Sequence, residues 1–273
     1  MPSTPSSPIP NAAPLSELVA VDVGNTRIKL GRFAPGSAEL GPASTLRLEL
    51  ASTMGPALRQ WLANSPGRRT WVIGKVHRQG AEQLARAVRE LFPEDSVLEL
   101  SHDDLPIAIA LAEPKRVGID RLLAAIAANR LRAPDRGAIV IDAGTAMTVD
   151  CVSRDGAFLG GAILPGLNLS ARALHEYTDQ LPLETISELD APPAPLGRST
   201  REAIRSGLFW GAVGAARELA ARMTPELGPQ PNLLLTGGAG LLMATPLGAE
   251  VTYHPDLVLQ GIVIVAEQLT SAA

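Results

Sequence analysis

Residues 139–150 read Ile-Val-Ile-Asp-Ala-Gly-Thr-Ala-Met-Thr-Val-Asp, an apolar run that breaks at Asp142-Ala-Gly-Thr145 and then resumes with β-branched residues. This pattern predicts a strand, a tight turn and a second strand. Gly144 has no Cβ and would let another backbone or a bound phosphate come close. Asp142 and Thr145 offer oxygen atoms to a cation or a phosphoryl group. A turn that only reverses the chain would contain similar residues. The stretch is therefore informative mainly because the sequence contains a second copy of the same pattern.

The second copy occupies residues 18–33, Leu-Val-Ala-Val-Asp-Val-Gly-Asn-Thr-Arg-Ile-Lys-Leu-Gly-Arg-Phe. It again predicts a strand, a turn containing Asp, Gly and Thr, and a strand. Asp22, Asn25, Thr26 and Lys29 place a carboxylate, an amide, a hydroxyl and an ammonium around one turn, the mixture that a nucleoside triphosphate with Mg²⁺ requires. A polar β-turn is the structural alternative, but two copies favour a duplicated hairpin that handles phosphate.

Length and composition restrict the class of protein. The 273 residues suffice for two similar halves, and we place these at 16–133 and 134–273. The net charge of −4 argues against nucleic-acid binding, which requires a basic face.

Residues 1–15 are rich in Pro and Ser and are predicted to be a disordered leader without secretion signals. No apolar run approaches the ~20 residues of a membrane span. The single Cys151 excludes an intramolecular disulfide, so we expect a soluble cytoplasmic protein.

Periodicity along the chain predicts alternating strands and helices in both halves. A turn is expected at Gly36–Gly41. Strands are expected at 46–50, 71–74, 96–100, within 156–166 and at 233–235, and helices at 54–64, 80–91, 117–131, 167–177, 199–223 and 256–269. The stretch 184–198 contains several prolines and is predicted to be a loop. Ser199-Thr-Arg-Glu202 matches a capping box at the start of the long helix.

The helix predicted over 117–131 carries Asp120 and Arg121 at its N-terminal end, where unpaired N–H groups and the helix dipole favour an anion. A carboxylate beside an arginine is the pairing that a kinase uses to deprotonate an alcohol. A first-turn carboxylate that merely stabilises the helix dipole is the structural alternative.

Six motifs, taken in order, resemble those of the type III pantothenate kinases, a branch of the superfamily of acetate and sugar kinases, Hsp70 and actin. They are Asp22-Val-Gly-Asn-Thr-Arg-Ile-Lys29, Gly118-Ile-Asp-Arg121, Asp142-Ala-Gly-Thr145, Gly160-Gly-Ala-Ile-Leu-Pro-Gly166, Ser199-Thr-Arg-Glu-Ala-Ile204 and Thr236-Gly-Gly238. The resemblance covers nearly everything from about residue 18 to 265.

The resemblance implies an α/β protein with a duplicated actin-like (ribonuclease H-like) ATPase fold: two mixed sheets flanked by helices, with the nucleotide between the halves. It implies ATP-dependent phosphorylation of pantothenate at its primary hydroxyl, the first committed step toward coenzyme A. The expected cofactors are ATP, Mg²⁺ and a monovalent cation, K⁺ or NH₄⁺. The expected partners are pantothenate and a second copy of the chain, in a homodimer whose interface helps to form the pantothenate site.

The resemblance also assigns roles by motif position. Asp22, Val23, Gly24, Asn25, Thr26, Arg27, Ile28 and Lys29 would hold the ATP phosphates, with Asp22 on Mg²⁺, and Thr145 would add a phosphate contact. Asp120 would accept the proton, and Gly118, Ile119, Asp120, Arg121 and Thr200 would bind pantothenate. Asp142 would bind the monovalent cation.

Two segments depart from the family pattern, both on the substrate side. Leu111 stands where family members usually carry a Tyr, and Gly74-Lys-Val-His77 replaces a Ser-Val-x-Pro-like turn. Two other functions therefore remain open: a catalytically weak relative that acts as a regulatory accessory factor, and a kinase of another small alcohol. Intact Lys29, Asp120 and Asp142 argue against the regulator, and Leu111 is the residue that favours another alcohol.

Overall fold

The structure is a computed structural model that describes residues 17–34, 44–50, 53–65, 67–187 and 189–271. The predicted leader at 1–15 and the predicted turn at Gly36–Gly41 lie outside the described residues. The chain folds into two compact units. Of the described residues, the first unit contains those up to Pro106, Lys115–Ala127 and those from Asp256 on; the second contains Ile107–Pro114 and those from Ala128 to Pro255.

The first unit is built on a five-stranded mixed sheet. Its elements are β1 (Leu18–Val23), β2 (Arg27–Phe33), β3 (Ser44–Glu49), α1 (Met54–Trp61), β4 (Thr70–Lys75), α2 (Arg78–Leu91) and β5 (Ser96–Glu99). The strand order is β3-β2-β1-β4-β5, with β1, β2 and β3 antiparallel and β4 and β5 parallel to β1. β1 is buried almost throughout, as a central strand covered on both faces should be. Val19, Val21 and Val23 pack in the same core as Trp71.

Two further helices follow, α3 (Ile119–Leu131) and α7 (Leu257–Ser271), the last helix of the chain. The α7 helix packs against β1, β2 and β4, and its side chains Leu257, Leu259, Ile262 and Val265 are fully buried. The compact units therefore do not follow the sequence boundary of the predicted halves, 16–133 and 134–273, because α7 returns to the sheet with which the chain begins.

The second unit repeats the pattern. Its elements are β6 (Ala138–Ala143), β7 (Ala146–Val152), β8 (Phe158–Pro165), α4 (Leu167–Glu176), α5 (Thr200–Leu227), β9 (Asn232–Thr236), α6 (Gly240–Leu247) and β10 (Val251–Tyr253). The strand order is β10-β9-β6-β7-β8, with the same parallel and antiparallel pairings as the first sheet. Ile139, Ile141, Val149, Phe209 and Leu235 form the centre of its core. The predicted architecture of two mixed sheets flanked by helices is confirmed.

The described residues between α4 and α5 form neither helix nor strand, as the prolines of that stretch predict. None of the helices in the described ranges is long and apolar enough to cross a membrane.

Candidate active site

The first hairpin places its polar residues around the β1–β2 turn. The Gly24 N–H donates to the Arg27 carbonyl over 3.0 Å and closes the turn. Asn25, Thr26 and Arg27 are exposed at its tip. Asp22 and Lys29 are directly opposed in the antiparallel register, so their side chains share one face of the sheet with Cβ atoms about 5 Å apart. The turn thus presents a carboxylate, a hydroxyl and an ammonium within a few residues.

Lys29 has a partner that sequence reasoning missed. Its Nζ lies 2.8 Å from Asp256 Oδ1, and the two side chains are 19% and 17% exposed. Asp256 immediately precedes α7 and is 227 residues away from Lys29 along the chain, so no local motif could reveal the pair.

The start of α3 fixes Asp120 tightly. The Arg121 N–H donates to Asp120 Oδ1 over 2.9 Å. A Cβ on Gly118 would lie only 2.5 Å from that same oxygen, so the carboxylate needs a glycine at this position. Burial raises the pKa of Asp120 above its usual value, although the Arg121 N–H bond and the Arg121 charge both act in the opposite direction. A half-buried carboxylate with a raised pKa is suited to accept a proton.

In the second hairpin, Asp142 lies against a glycine turn. Gly237 follows β9 with φ of +91°, and a Cβ there would lie 2.5 Å from both Asp142 Oδ1 and the Ala143 carbonyl carbon. The Ala239 N–H donates to the Ala143 carbonyl over 3.1 Å and holds this turn against the end of β6. Asp142 is half-buried and Thr145 is exposed at the tip of the hairpin.

Thr200 is the first residue of α5 and is exposed. Ser199 caps the helix by accepting the Glu202 N–H over 3.2 Å. Glu202 Oε2 accepts the Arg198 N–H over 2.7 Å, one residue before the donor of a standard capping box. Only half of the predicted capping box therefore forms as predicted.

A buried carboxylate that the sequence did not single out supports this helix start. Glu184 is 3% exposed and pairs with Arg201 and with Arg205 Nε, the latter over 2.6 Å. It ties the proline-rich loop to the first turns of α5, beside Thr200.

Leu111 lies next to β8. The preceding residues pair with Phe158, since the Ala110 N–H donates to the Phe158 carbonyl over 2.9 Å. Leu111 is 38% exposed, and its Cδ2 lies 3.1 Å from the position of a Cβ on Gly160. Leu111 is therefore an exposed apolar side chain beside β8.

The predicted site residues fall into two sets. The hairpin residues 22–29 and the segment 118–121 belong to the first unit, and Leu111, Asp142, Thr145 and Thr200 belong to the second. Within the described residues, no three His, Cys, Asp or Glu side chains converge as a metal site. The residues at the first hairpin nevertheless fit a nucleotide-bound Mg²⁺, because that ion usually takes one or two carboxylates and completes its shell with phosphates and water.

The two units together define the class of protein, an actin-like ATPase fold. Among solved structures, the ethanolamine utilization protein EutJ from Carboxydothermus hydrogenoformans is similar, with a TM-score of 0.51 and 17% identity over 95% of this chain and 92% of that chain. At this level of identity the likeness shows the fold.

Sequence comparison is more specific. The family model of type III pantothenate kinase matches residues 18–222. The type III pantothenate kinase of Gluconobacter oxydans is 34% identical over 263 residues, covering 93% of this chain and 94% of the relative. That of Acidiphilium cryptum is 37% identical over 195 residues, 71% of each chain. The chain belongs to the type III pantothenate kinase family, which confirms the resemblance and the prediction of a kinase.

Proposed function

We propose that this protein transfers the γ-phosphoryl group of ATP to the primary hydroxyl of pantothenate and releases 4′-phosphopantothenate and ADP, in the cytoplasm. The observation that carries the proposal is the start of α3, where Asp120 is half-buried, has a raised pKa and is held by the Arg121 N–H. A proton acceptor next to a cationic side chain is what transfer to an alcohol requires.

In the proposed reaction, Asp120 accepts the hydroxyl proton as the hydroxyl oxygen bonds to the γ-phosphorus. The bond between that phosphorus and the oxygen retained by ADP breaks, and the proton stays on the Asp120 carboxyl group. Arg121 pairs with the pantothenate carboxylate, since its planar guanidinium can donate two parallel hydrogen bonds that a lysine cannot supply. Gly118, Ile119 and Thr200 complete the pantothenate contacts.

The first hairpin would hold the nucleotide. Backbone N–H groups of Asn25 and Thr26, exposed at the tip of the turn, and the Thr26 hydroxyl would contact phosphate oxygens, and Lys29 would offset their charge. The remaining residues from Val23 to Ile28 would give the turn its shape. Thr145 would add a further contact. Mg²⁺, held by Asp22, would neutralise charge on the transferring phosphoryl group. Asp142 would hold the monovalent cation, K⁺ or NH₄⁺.

A homodimer is part of the proposal, and one face of α5 supports it. Gly207, Gly211 and Gly214 are exposed, and a Cβ at any of them would meet no atom within 4 Å. Small residues at helical spacing let a second helix approach closely, because the distance between packed helices depends on the side chains at the contact. A second copy of the chain would cover this face.

Product mass after incubation with ATP, Mg²⁺, K⁺ and pantothenate tests the reaction, with a control that lacks pantothenate. We expect 4′-phosphopantothenate, and a lower rate when Na⁺ replaces K⁺. Equal rates in the two salts would contradict the cation role of Asp142. ADP release without this product would favour another small alcohol, as the exposed Leu111 suggests, and ATP binding without turnover would favour the regulatory accessory factor.

A further inference from the structure

The ion pair between Lys29 and Asp256 links the phosphate-handling hairpin to the last helix of the chain. The 2.8 Å distance between Nζ and Oδ1 is that of a charge-assisted hydrogen bond. Less than a fifth of either side chain is exposed, so solvent screens the pair less than it screens a surface pair. Asp256 belongs to none of the six motifs from which the site residues were predicted.

The backbone on both sides of the pair is fixed. Lys29 lies on β2, hydrogen-bonded between β1 and β3. The Asp256 carbonyl accepts the Gln260 N–H over 2.9 Å, which places Asp256 at the N-cap position of α7. Since α7 packs on β1, β2 and β4, the carboxylate is held at a defined point over the sheet.

A fixed partner such as Asp256 matters for Lys29 because the lysine side chain is flexible. Its four-carbon stem is flexible, and immobilising it costs rotamer entropy. An anchor already present before the ligand arrives removes part of that cost from binding. The ammonium has three N–H donors, so a bond to Asp256 is compatible with donation to a phosphate oxygen.

We propose that Asp256 is a positioning residue for the nucleotide: its carboxylate holds the Lys29 ammonium where that group meets the phosphates of ATP. The inference rests on the proposed function for the identity of the ligand. Asp256 acts only through Lys29.

Two other roles of Asp256 predict a different effect on ATP binding. If Asp256 competed with the phosphates for Lys29, removal of its charge would strengthen ATP binding. If Asp256 only capped α7, an asparagine would replace it without effect, because Asn and Asp are equally good N-caps.

The first unit contains a matched control pair. Glu17 and Arg32 are joined over 2.7 Å, and their side chains are 18% and 20% exposed. Arg32 lies on β2 as Lys29 does, but three residues further from the hairpin turn. Glu17→Gln therefore removes an equally buried ion pair from the same strand without touching the hairpin residues.

The experiment is a double-mutant cycle on ATP affinity, measured by calorimetric titration with Mg-ATP for the wild type, Asp256→Asn, Lys29→Met and the double variant. We expect Asp256→Asn to weaken binding about three- to tenfold. The same change made in the Lys29→Met background should have no further effect. Glu17→Gln should bind ATP like the wild type. Asp256→Ser, another good N-cap, serves as the second variant if the asparagine form does not fold.

Unchanged or stronger ATP binding by Asp256→Asn would overturn the inference. So would equal weakening with and without Lys29, or equal weakening by Glu17→Gln. A coupled loss of ATP affinity without formation of 4′-phosphopantothenate would refute the proposed function and leave the role of Asp256 intact. An active kinase with uncoupled variants would refute the role of Asp256 alone.

Discussion

The raised pKa of Asp120 has opposite consequences for folding stability and for proton acceptance. Because burial raises its pKa in the folded state, the ionised carboxylate is less stable there than in the unfolded chain. The neutral form therefore favours folding: its contribution is fully present below the unfolded pKa and is lost as the pH rises through the folded pKa. Proton acceptance needs the ionised form and is lost as the pH falls through that same raised pKa.

Asp120→Asn should separate the two properties. Its amide oxygen can still accept the Arg121 N–H, but the group no longer accepts a proton. We expect turnover to fall by about 10²–10⁴ with ATP affinity nearly unchanged. At pH 7 the melting temperature should be at or above that of the wild type, because the buried charge is gone. Initial rates, ATP titration and thermal melts measure these quantities; near-normal turnover would remove Asp120 from the reaction.

At the scale of elements, the β9–α6 turn depends on one glycine. Gly237→Ala would combine a left-handed φ with a Cβ 2.5 Å from Asp142 Oδ1. We expect a loss of about 2–4 kcal/mol in the free energy of unfolding, measured by denaturant titration. The neighbouring Gly238 is the control, because a Cβ there would meet no atom within 4 Å. Equal losses for Gly237→Ala and Gly238→Ala would show that the approach of Asp142 to the turn is unimportant.

Most elements were predictable because their patterns are local. The two hairpins appeared as interrupted apolar runs, and α5 as a long helix after a serine N-cap. The elements α6 and β10 were missed: α6 has eight residues with Pro246 among them, and β10 has three residues. Such short elements are stabilised by the sheet on which they pack, and their own sequence shows no period. Glu184 was missed for a similar reason, since its arginine partners lie 17 and 21 residues further along the chain.

At the scale of the whole molecule, the glycine face of α5 makes the proposed dimer testable. Gly211→Leu should leave the fold intact, because its Cβ meets no atom and Leu is a better helix former than Gly. It should, however, block close approach of a second helix. Sedimentation equilibrium should then give the mass of one chain, 28.6 kDa, instead of twice that value. Gln83→Leu, on the exposed side of α2, is the control for an added surface leucine. An unchanged dimer would place the interface elsewhere.

Contacts between residues far apart in the sequence, such as the Lys29–Asp256 pair, could not be predicted from the sequence. The six motifs named the residues of the hairpins and of the α3 start, but not the partner of Lys29. Asp256 meets Lys29 only because α7 returns to the first sheet, and that return follows from the three-dimensional packing of apolar side chains such as Ile262.

The return of α7 also has a consequence for biosynthesis. A ribosome makes β1 and β2 well before it makes α7. At about 5–20 residues per second, the first sheet waits on the order of 10–50 s for the helix that covers it. The second unit, by contrast, is complete before α7 is synthesised. The first sheet therefore completes its packing after the second unit has been made, and the Lys29–Asp256 pair can form only once residue 256 has been synthesised.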